Sequence, residues 1–193
     1  MRLNIITSAL VLSSALLSGA VLAADGTVHF RGEVIDSTCE VTSDTADQTV
    51  NIGRVAVTTF SGVDSTASVK DFHIRLESCP PTYTQAAVRF DGTEDKDTIG
   101  KGYLAIGTPM NGETGTDGIY TGDGAAVAAT GVAIKLFNLS DDSAIPLYNN
   151  SKYVPIADGK ADMGFKAKFV QTLATVTPGT ANADSQFTIE YLK

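Results

Sequence analysis

Tryptophan is absent from the sequence, and histidine and cysteine occur only twice each. Each scarcity excludes something. Without Trp there is no Cys…Trp…Cys core of the antibody type. Catalysis by a Ser or Cys nucleophile wants a positioned base, usually His. His29 and His73 both fall on the polar phase of an alternating strand, which makes them ordinary surface histidines. The two cysteines have no second pair of ligands at metal-binding spacing, so no metal site is expected. Basic residues are also few, 14 Lys and Arg against 22 Asp and Glu. Such a surface repels nucleic acid and anionic lipid, and neither is an expected partner. No apolar run beyond the first two dozen residues is long enough to span a bilayer.

The short motifs that carry chemistry fail on inspection. There is no G-x-S-x-G elbow, no H-E-x-x-H and no phosphate-binding Walker loop. "DGTEDKDTIGKG", residues 91 to 102, spaces Asp95 and Asp97 like a calcium loop, but Ile99 and Ile106 stand where oxygen ligands are required. A solvated hairpin turn is expected there. "GDGAAV", residues 122 to 127, lacks the third glycine of a dinucleotide loop. Asn138-Leu139-Ser140 and Asn149-Asn150-Ser151 match the glycosylation pattern, a match short enough to arise by chance. Asp141 and Asp142 form a carboxylate pair that nothing places in a cleft. The reading is of a non-enzyme without cofactor.

What the sequence does contain begins with an export signal. Arg2, an apolar run from Ile5 to Leu17, and Val21 and Ala23 before Ala24 give the three-part layout of a signal peptide over residues 1–23. Cleavage after Ala23 leaves residues 24–193, a length that fits one domain with a sizeable core. It removes Arg2 and no acid, so the 14 basic residues fall to 13 against 22 acidic, a net charge of −9. In an exported chain, two cysteines argue for a Cys39–Cys79 disulfide. Closing that loop constrains the unfolded chain by roughly 3 to 4 kcal/mol on the chain-entropy account.

The strongest repeated signal is alternation with period two. Phe72, Ile74 and Leu76 point one way and His73, Arg75 and Glu77 the other. The rhythm returns in Val88 and Phe90, in Val132, Ile134 and Leu136, in Phe165, Ala167 and Phe169, and in Phe187, Ile189 and Tyr191. Helical periodicity is missing after the export segment. Many short strands separated by Gly, Asp, Thr and Asn predict an all-β chain, an immunoglobulin-like sandwich with a closed barrel as the alternative. Residues 107 to 131, rich in glycine, read as a surface excursion within that domain.

"GTVHFRGEVIDSTCEV", residues 26 to 41, opens the exported chain with one more alternating strand. Gly26, Val28, Phe30, Gly32 and Val34 share one phase, and Thr27, His29, Arg31 and Glu33 the other. Periodicity does not say whose sheet this strand joins. Together with "DQTVNIG", "FHIRLESC" and "FTIEY", the stretch resembles the pilins of the chaperone-usher pathway, closest to type 1-like fimbrial subunits. Gly179 also stands twelve residues before Tyr191, as in that family, although Leu192 and Lys193 follow a tyrosine that is usually penultimate.

The resemblance implies an incomplete immunoglobulin-like sandwich, residues 37–193, lacking its last strand. It implies an N-terminal extension, residues 24–36, that fills the groove of a neighbouring subunit by strand addition. Gly26, Val28, Phe30, Gly32 and Val34 would then be the donor residues, and Phe187, Ile189 and Tyr191 the acceptor wall. Gly32 would admit a bulky residue of the groove floor. Implied partners are other pilin subunits, a periplasmic chaperone and an outer-membrane usher. The implied product is a surface fimbria that supports cell adhesion. A minor adaptor or receptor-binding tip subunit is the alternative within the family, and a periplasmic enzyme or binding protein the alternative outside it.

Overall fold

The structure, a computed structural model, describes residues 28–31, 38–107 and 128–193. The export segment 1–23, Gly26, Gly32, Val34, the "GDGAAV" loop and most of the excursion at 107–131 lie outside the described residues. Contacts divide the chain into Met1–Ile35 and Asp36–Lys193.

In the second unit the described strands are β1 (Glu40–Val41), β2 (Thr66–Glu77), β3 (Gln85–Asp91), β4 (Leu104–Ala105), β5 (Val132–Asn138), β6 (Ala144–Ile145), β7 (Val154–Pro155), β8 (Ala161–Gln171) and β9 (Gln186–Leu192). One sheet runs β1-β2-β8-β5-β4, with β6 also on β5, and the other runs β7-β3-β9. Every strand ladder is antiparallel. The two sheets are separate, so the fold is a sandwich and not a closed barrel. Among the described residues, helix is confined to the single turn α1 (Ser43–Ala46) and a 3-10 turn at Val57–Thr59.

Alternation builds the core. On β8, Ala161, Met163, Phe165, Ala167 and Phe169 are buried and alternate with Asp162, Gly164, Lys166 and Lys168. Register sets Phe72 against Phe165, Ile74 against Met163 and Leu76 against Ala161, so the apolar faces of β2 and β8 coincide. Phe90 of the other sheet meets this face, its ring centroid 5.1 Å from Phe165 and 6.0 Å from Phe72, both edge to face. Edge-to-face rings at such distances satisfy the aromatic quadrupole while burying large area. This aromatic trio pins one sheet onto the other.

Strand β5 departs from simple alternation. Val132, Ile134 and Leu136 are buried as their phase requires, but Ala133 and Phe137 of the opposite phase are buried too. Tyr103, Ala133 and Val170 form a second small cluster. The Lys135 ammonium lies 5.0 Å from the Tyr103 ring centroid and 5.3 Å from that of Phe137, and Lys168 lies 4.4 Å from Phe137. Lys135 and Lys168 are direct cross-strand neighbours. Like charges placed so repel; the ring faces and Asp142, 3.6 Å from Lys168, offset the repulsion.

The acidic turn and the carboxylate pair are spent on structure. Asp95 Oδ2 accepts hydrogen bonds from the Asp97 amide and the Thr98 hydroxyl, at 3.2 and 3.0 Å. Glu94 Oε1 accepts from the amides of Gly100 and Gly102, both at 2.7 Å. The turn is therefore not a fully solvated one: Asp95 and Thr98 are buried beneath the backbone they hold. Gly102 is required there, with φ +68° and space beside Pro146 that a Cβ would violate. Asp141 is held by Lys152 and by Ser143, which push its carboxyl down to about 2. Asp142 pairs with Lys166 at 2.7 Å. Neither carboxyl has the raised pKa of a general acid. Asn138 is buried, its carbonyl oxygen accepting from the Lys152 amide at 3.0 Å and its amide donating to the Ser143 hydroxyl at 2.9 Å.

Two outcomes are expected. Phe165→Ala empties the centre of the aromatic trio and should lower stability by roughly 3 to 5 kcal/mol, read as a shift of the urea midpoint at unchanged slope. The second concerns Tyr103, whose phenol donates to Asp64 at 2.9 Å and is pushed up to about 12, first by burial and then by that bond. In the unfolded chain the same phenol titrates near 10. The stability it contributes is complete below pH ~10 and is lost as pH rises from there towards 12. Tyr103→Phe should show a smaller loss over that window in chemical denaturation.

Candidate functional site

The site begins with a difference between two paired strands. Register sets Ala86 opposite Tyr191, Val88 opposite Ile189 and Phe90 opposite Phe187, so β3 and β9 present matching apolar faces. Both sets pack on the same core. Yet Ala86, Val88 and Phe90 are 0%, 0% and 4% exposed, while Phe187, Ile189 and Tyr191 are only half-buried. Hydrophobicity does not explain this, because the β9 residues are as apolar as their partners. Position does. β3 has neighbours on both sides, and β9 is an edge strand that pairs, among the described residues, with β3 alone.

The main chain shows which groups face that open side. The Val88 amide donates to the Ser151 hydroxyl at 2.9 Å, and the Val88 carbonyl accepts from the Ser151 amide at 2.7 Å. The Phe90 carbonyl accepts from the Tyr148 amide at 2.8 Å. Val88 and Phe90 thus direct their hydrogen bonds away from β9. In an antiparallel ladder their opposite numbers, Ile189 and Phe187, then turn N–H and C=O away from β3 as well. The free edge of β9 carries these groups beside three half-covered apolar side chains.

A second extended segment shares the character of β9. Through residues 47 to 53, "DQTVNIG", Gln48, Val50 and Ile52 are half-buried while Asp47, Thr49, Asn51 and Gly53 are exposed. That is strand periodicity without a place in either sheet. Ile52 and Val55 pack on the core, as do Val41 and Phe72, all of them only partly covered. The Ile52 carbonyl accepts from the Ser68 hydroxyl at 2.7 Å.

The end of β9 is tied down. Tyr191 stacks on Tyr83, ring centroids 4.8 Å apart. Burial raises the Tyr191 phenol, against the opposing pull of the Thr38 hydroxyl and the Cys39 amide. Cys39 is bonded to Cys79, and the Cys79 amide donates to the Gly159 carbonyl at 3.0 Å. The residues after Tyr191 continue the strand: Leu192 pairs with Gln85, and its carbonyl accepts from the Thr84 amide at 2.8 Å.

Of the residues singled out in the sequence, Phe187, Ile189 and Tyr191 lie on one face of β9, directed at the core. Val28 and Phe30 meet solvent at 75% and 92% exposure, and His29 is exposed between them. Gly26, Gly32 and Val34 lie outside the described residues. His73 lies on the polar phase of β2, its Nδ1 2.6 Å from Asp162. Val50, Ile52, Phe72 and Tyr83 were not assigned to a site by sequence reasoning. The alternation of Gln48, Val50 and Ile52 is the sequence signal that could have found the first two.

Comparison with known proteins agrees with this architecture. The family described as "Fimbrial protein" matches residues 28–192. The probable major fimbrial subunit LpfA of Escherichia coli O157:H7 is 35% identical, over 92% of this chain and 91% of its own. The type-1 fimbrial protein subunit of Serratia marcescens is 36% identical, over 95% of each. Among solved structures, the Burkholderia pseudomallei antigen and type I fimbria protein BPSL1626 superposes with a TM-score of 0.54 at 30% identity, covering 81% of this chain and 91% of its own. The P pilus rod subunit PapA shares the fold, with a TM-score of 0.58 at 16% identity over 81% of this chain and 100% of its own. An edge strand with a half-covered face on an antiparallel sandwich, matched along nearly its whole length by fimbrial subunits, makes this chain a member of the fimbrial protein family.

Proposed function

We propose that this fimbrial subunit polymerises by strand addition, the segment 24–36 of one copy lying along the open edge of β9 in the next. The observation that carries the reading is the contrast between buried β3 and half-covered β9, two strands with the same apolar pattern in the same sheet. A strand laid beside β9 pairs with the N–H and C=O groups that Ile189 and Phe187 turn outward, and its alternate side chains complete the core. Val50 and Ile52, half-buried, supply the opposite wall of the groove.

The donor has matching chemistry. Val28 and Phe30 share a phase and are exposed. Gly26, Gly32 and Val34 extend that phase over nine residues, about 30 Å of strand, against about 23 Å for the seven residues of β9. Burying Val28 and Phe30 contributes about 1.5 to 3 kcal/mol each before any ladder bond forms. Gly32 interrupts the apolar row and leaves room for a large side chain from the groove.

On this reading residues 1–23 direct export and residues 37–193 form the pilin domain. A periplasmic chaperone covers the groove until an outer-membrane usher presents the next donor. The product is a cell-surface fimbria that supports adhesion.

Removing residues 24–34 from the exported chain should give a subunit that still folds and still accepts a donor but cannot cap its neighbour. Electron microscopy of cells making only this form should show no fibres, and fibres of normal length would overturn the donor assignment. Phe30→Asp places a charge where an apolar pocket is proposed. Fibre mass per cell should fall at least tenfold while Phe30→Leu stays near the natural level. Equal assembly by both variants would remove Phe30 from the interface.

A further inference from the structure

Among the described residues, two long strands of the sandwich have an edge where no strand is paired: β9 along its whole length, and β2 above the two-residue partner β1. The other outer strands, β1, β4, β6 and β7, are two residues each, and β7 contains Pro155. Edges that short present little main chain to an incoming strand. Strand β2 is different, because its ladder with β1 stops at Leu76 and the strand runs on to Thr66.

Above Leu76 the edge is occupied by groups that are not a strand. The Thr42 amide donates to the Arg75 carbonyl at 3.0 Å, and the Arg75 amide donates to the Thr45 hydroxyl at 3.1 Å. One turn further, the Gln48 side-chain amide donates to the His73 carbonyl at 2.8 Å and to the Thr45 carbonyl at 3.3 Å. The turn α1 holds these side chains in place, with Thr45 buried and Asp44 paired to the Arg75 guanidinium at 2.8 Å. Two side chains and one backbone amide thus take hydrogen bonds that a paired strand would otherwise make. The side chains do not offer a new edge in return, since a hydroxyl and a carboxamide lack the repeating donors and acceptors of a backbone.

We propose that Thr45 and Gln48 determine where a donor strand enters: by occupying the Arg75 amide and the His73 carbonyl on the β2 edge, they confine strand addition to β9. The proposal rests on the strand-addition reading above. Its consequence is geometric. A subunit that gives one strand and accepts one builds an unbranched fibre. A subunit that gives one and accepts two builds a branched one. Thr45 and Gln48 act as specificity residues and need not touch the donor.

The test uses the full exported chain and a synthetic peptide of residues 24–36. Native mass spectrometry should count one peptide per natural subunit and two per Thr45→Ala/Gln48→Ala subunit, and fibres of the double variant should branch under electron microscopy. Thr45→Ser, which keeps the hydroxyl, should stay at one peptide and form unbranched fibres. Gln48→Ala alone changes a half-buried side chain, so it folds where the double variant does not, and it should raise the count above one. One peptide and unbranched fibres in both alanine variants, whatever their melting temperatures, would overturn the proposal, because a purely structural role predicts that result. A natural subunit that neither binds the peptide nor forms fibres fails the strand-addition reading itself and takes this inference with it.

Discussion

An edge strand that is apolar on one face and unpaired along one side is the constraint to which the rest of this molecule is fitted. Buried or half-buried backbone groups need partners, and a strand meets that need through a neighbour. Among the described residues β9 has one strand neighbour, β3, and its inward residues Phe187, Ile189 and Tyr191 are only half-buried. The deficit is local. Immediately across the ladder, Val88 and Phe90 have the 148–151 segment to complete their hydrogen bonds and are buried. A defect of general packing would leave both strands half-covered, whereas here the half-covered one is the strand bordering the open side.

Such an edge is also a hazard, since any extended chain with suitable side chains can add to it. The sandwich keeps the hazard to one place by keeping most outer strands to two residues. Where a long strand does reach an outer position, as β2 does, the Thr42 amide and the side chains of Thr45 and Gln48 take hydrogen bonds of Arg75 and His73. The acidic surface works in the same direction, because subunits of like charge repel until a specific contact overcomes that repulsion.

Much of this was legible in the sequence, and the failures have physical causes. The phases of β2, β8 and β9 follow from alternation, because each of these strands has one face towards the core and one towards solvent. Alternation misdescribes the outer face of β5, where Tyr103, distant in sequence, covers Ala133 and draws Lys135 over its ring. No local pattern around residue 133 contains that information. The burial of Asp95 was hidden for a similar reason: an acidic turn reads as solvated until its carboxylate is seen accepting from its own backbone. The single turn α1 has no helical periodicity because four residues cannot carry any, and it exists where Thr42 and Thr45 meet Arg75. Residues 48 to 52 alternate clearly enough, but periodicity reports that a segment is extended and half-covered, not which sheet it serves. The same ambiguity attends Val28 and Phe30, whose phase is plain and whose destination lies in another molecule on the proposed reading.

A domain that leaves part of its core uncovered must hold together by means that do not cover it. More apolar residues at the groove would restore stability by closing the edge, and so would remove the acceptor proposed above. The Cys39–Cys79 bond acts differently, since on the chain-entropy account it raises the free energy of the unfolded chain and leaves the native surface as it is. Its position suits that role, because Cys39 immediately precedes β1, Cys79 follows β2, and Tyr191 approaches Thr38 and Cys39 at the end of β9. The aromatic trio supplies the other half, binding the two sheets at Phe72, Phe90 and Phe165, of which Phe90 and Phe165 lie one strand inward from the open side. Stability is thus gathered in a covalent loop and a central ring cluster, and the edge of β9 is left free of any stabilising duty that its occupation would disturb.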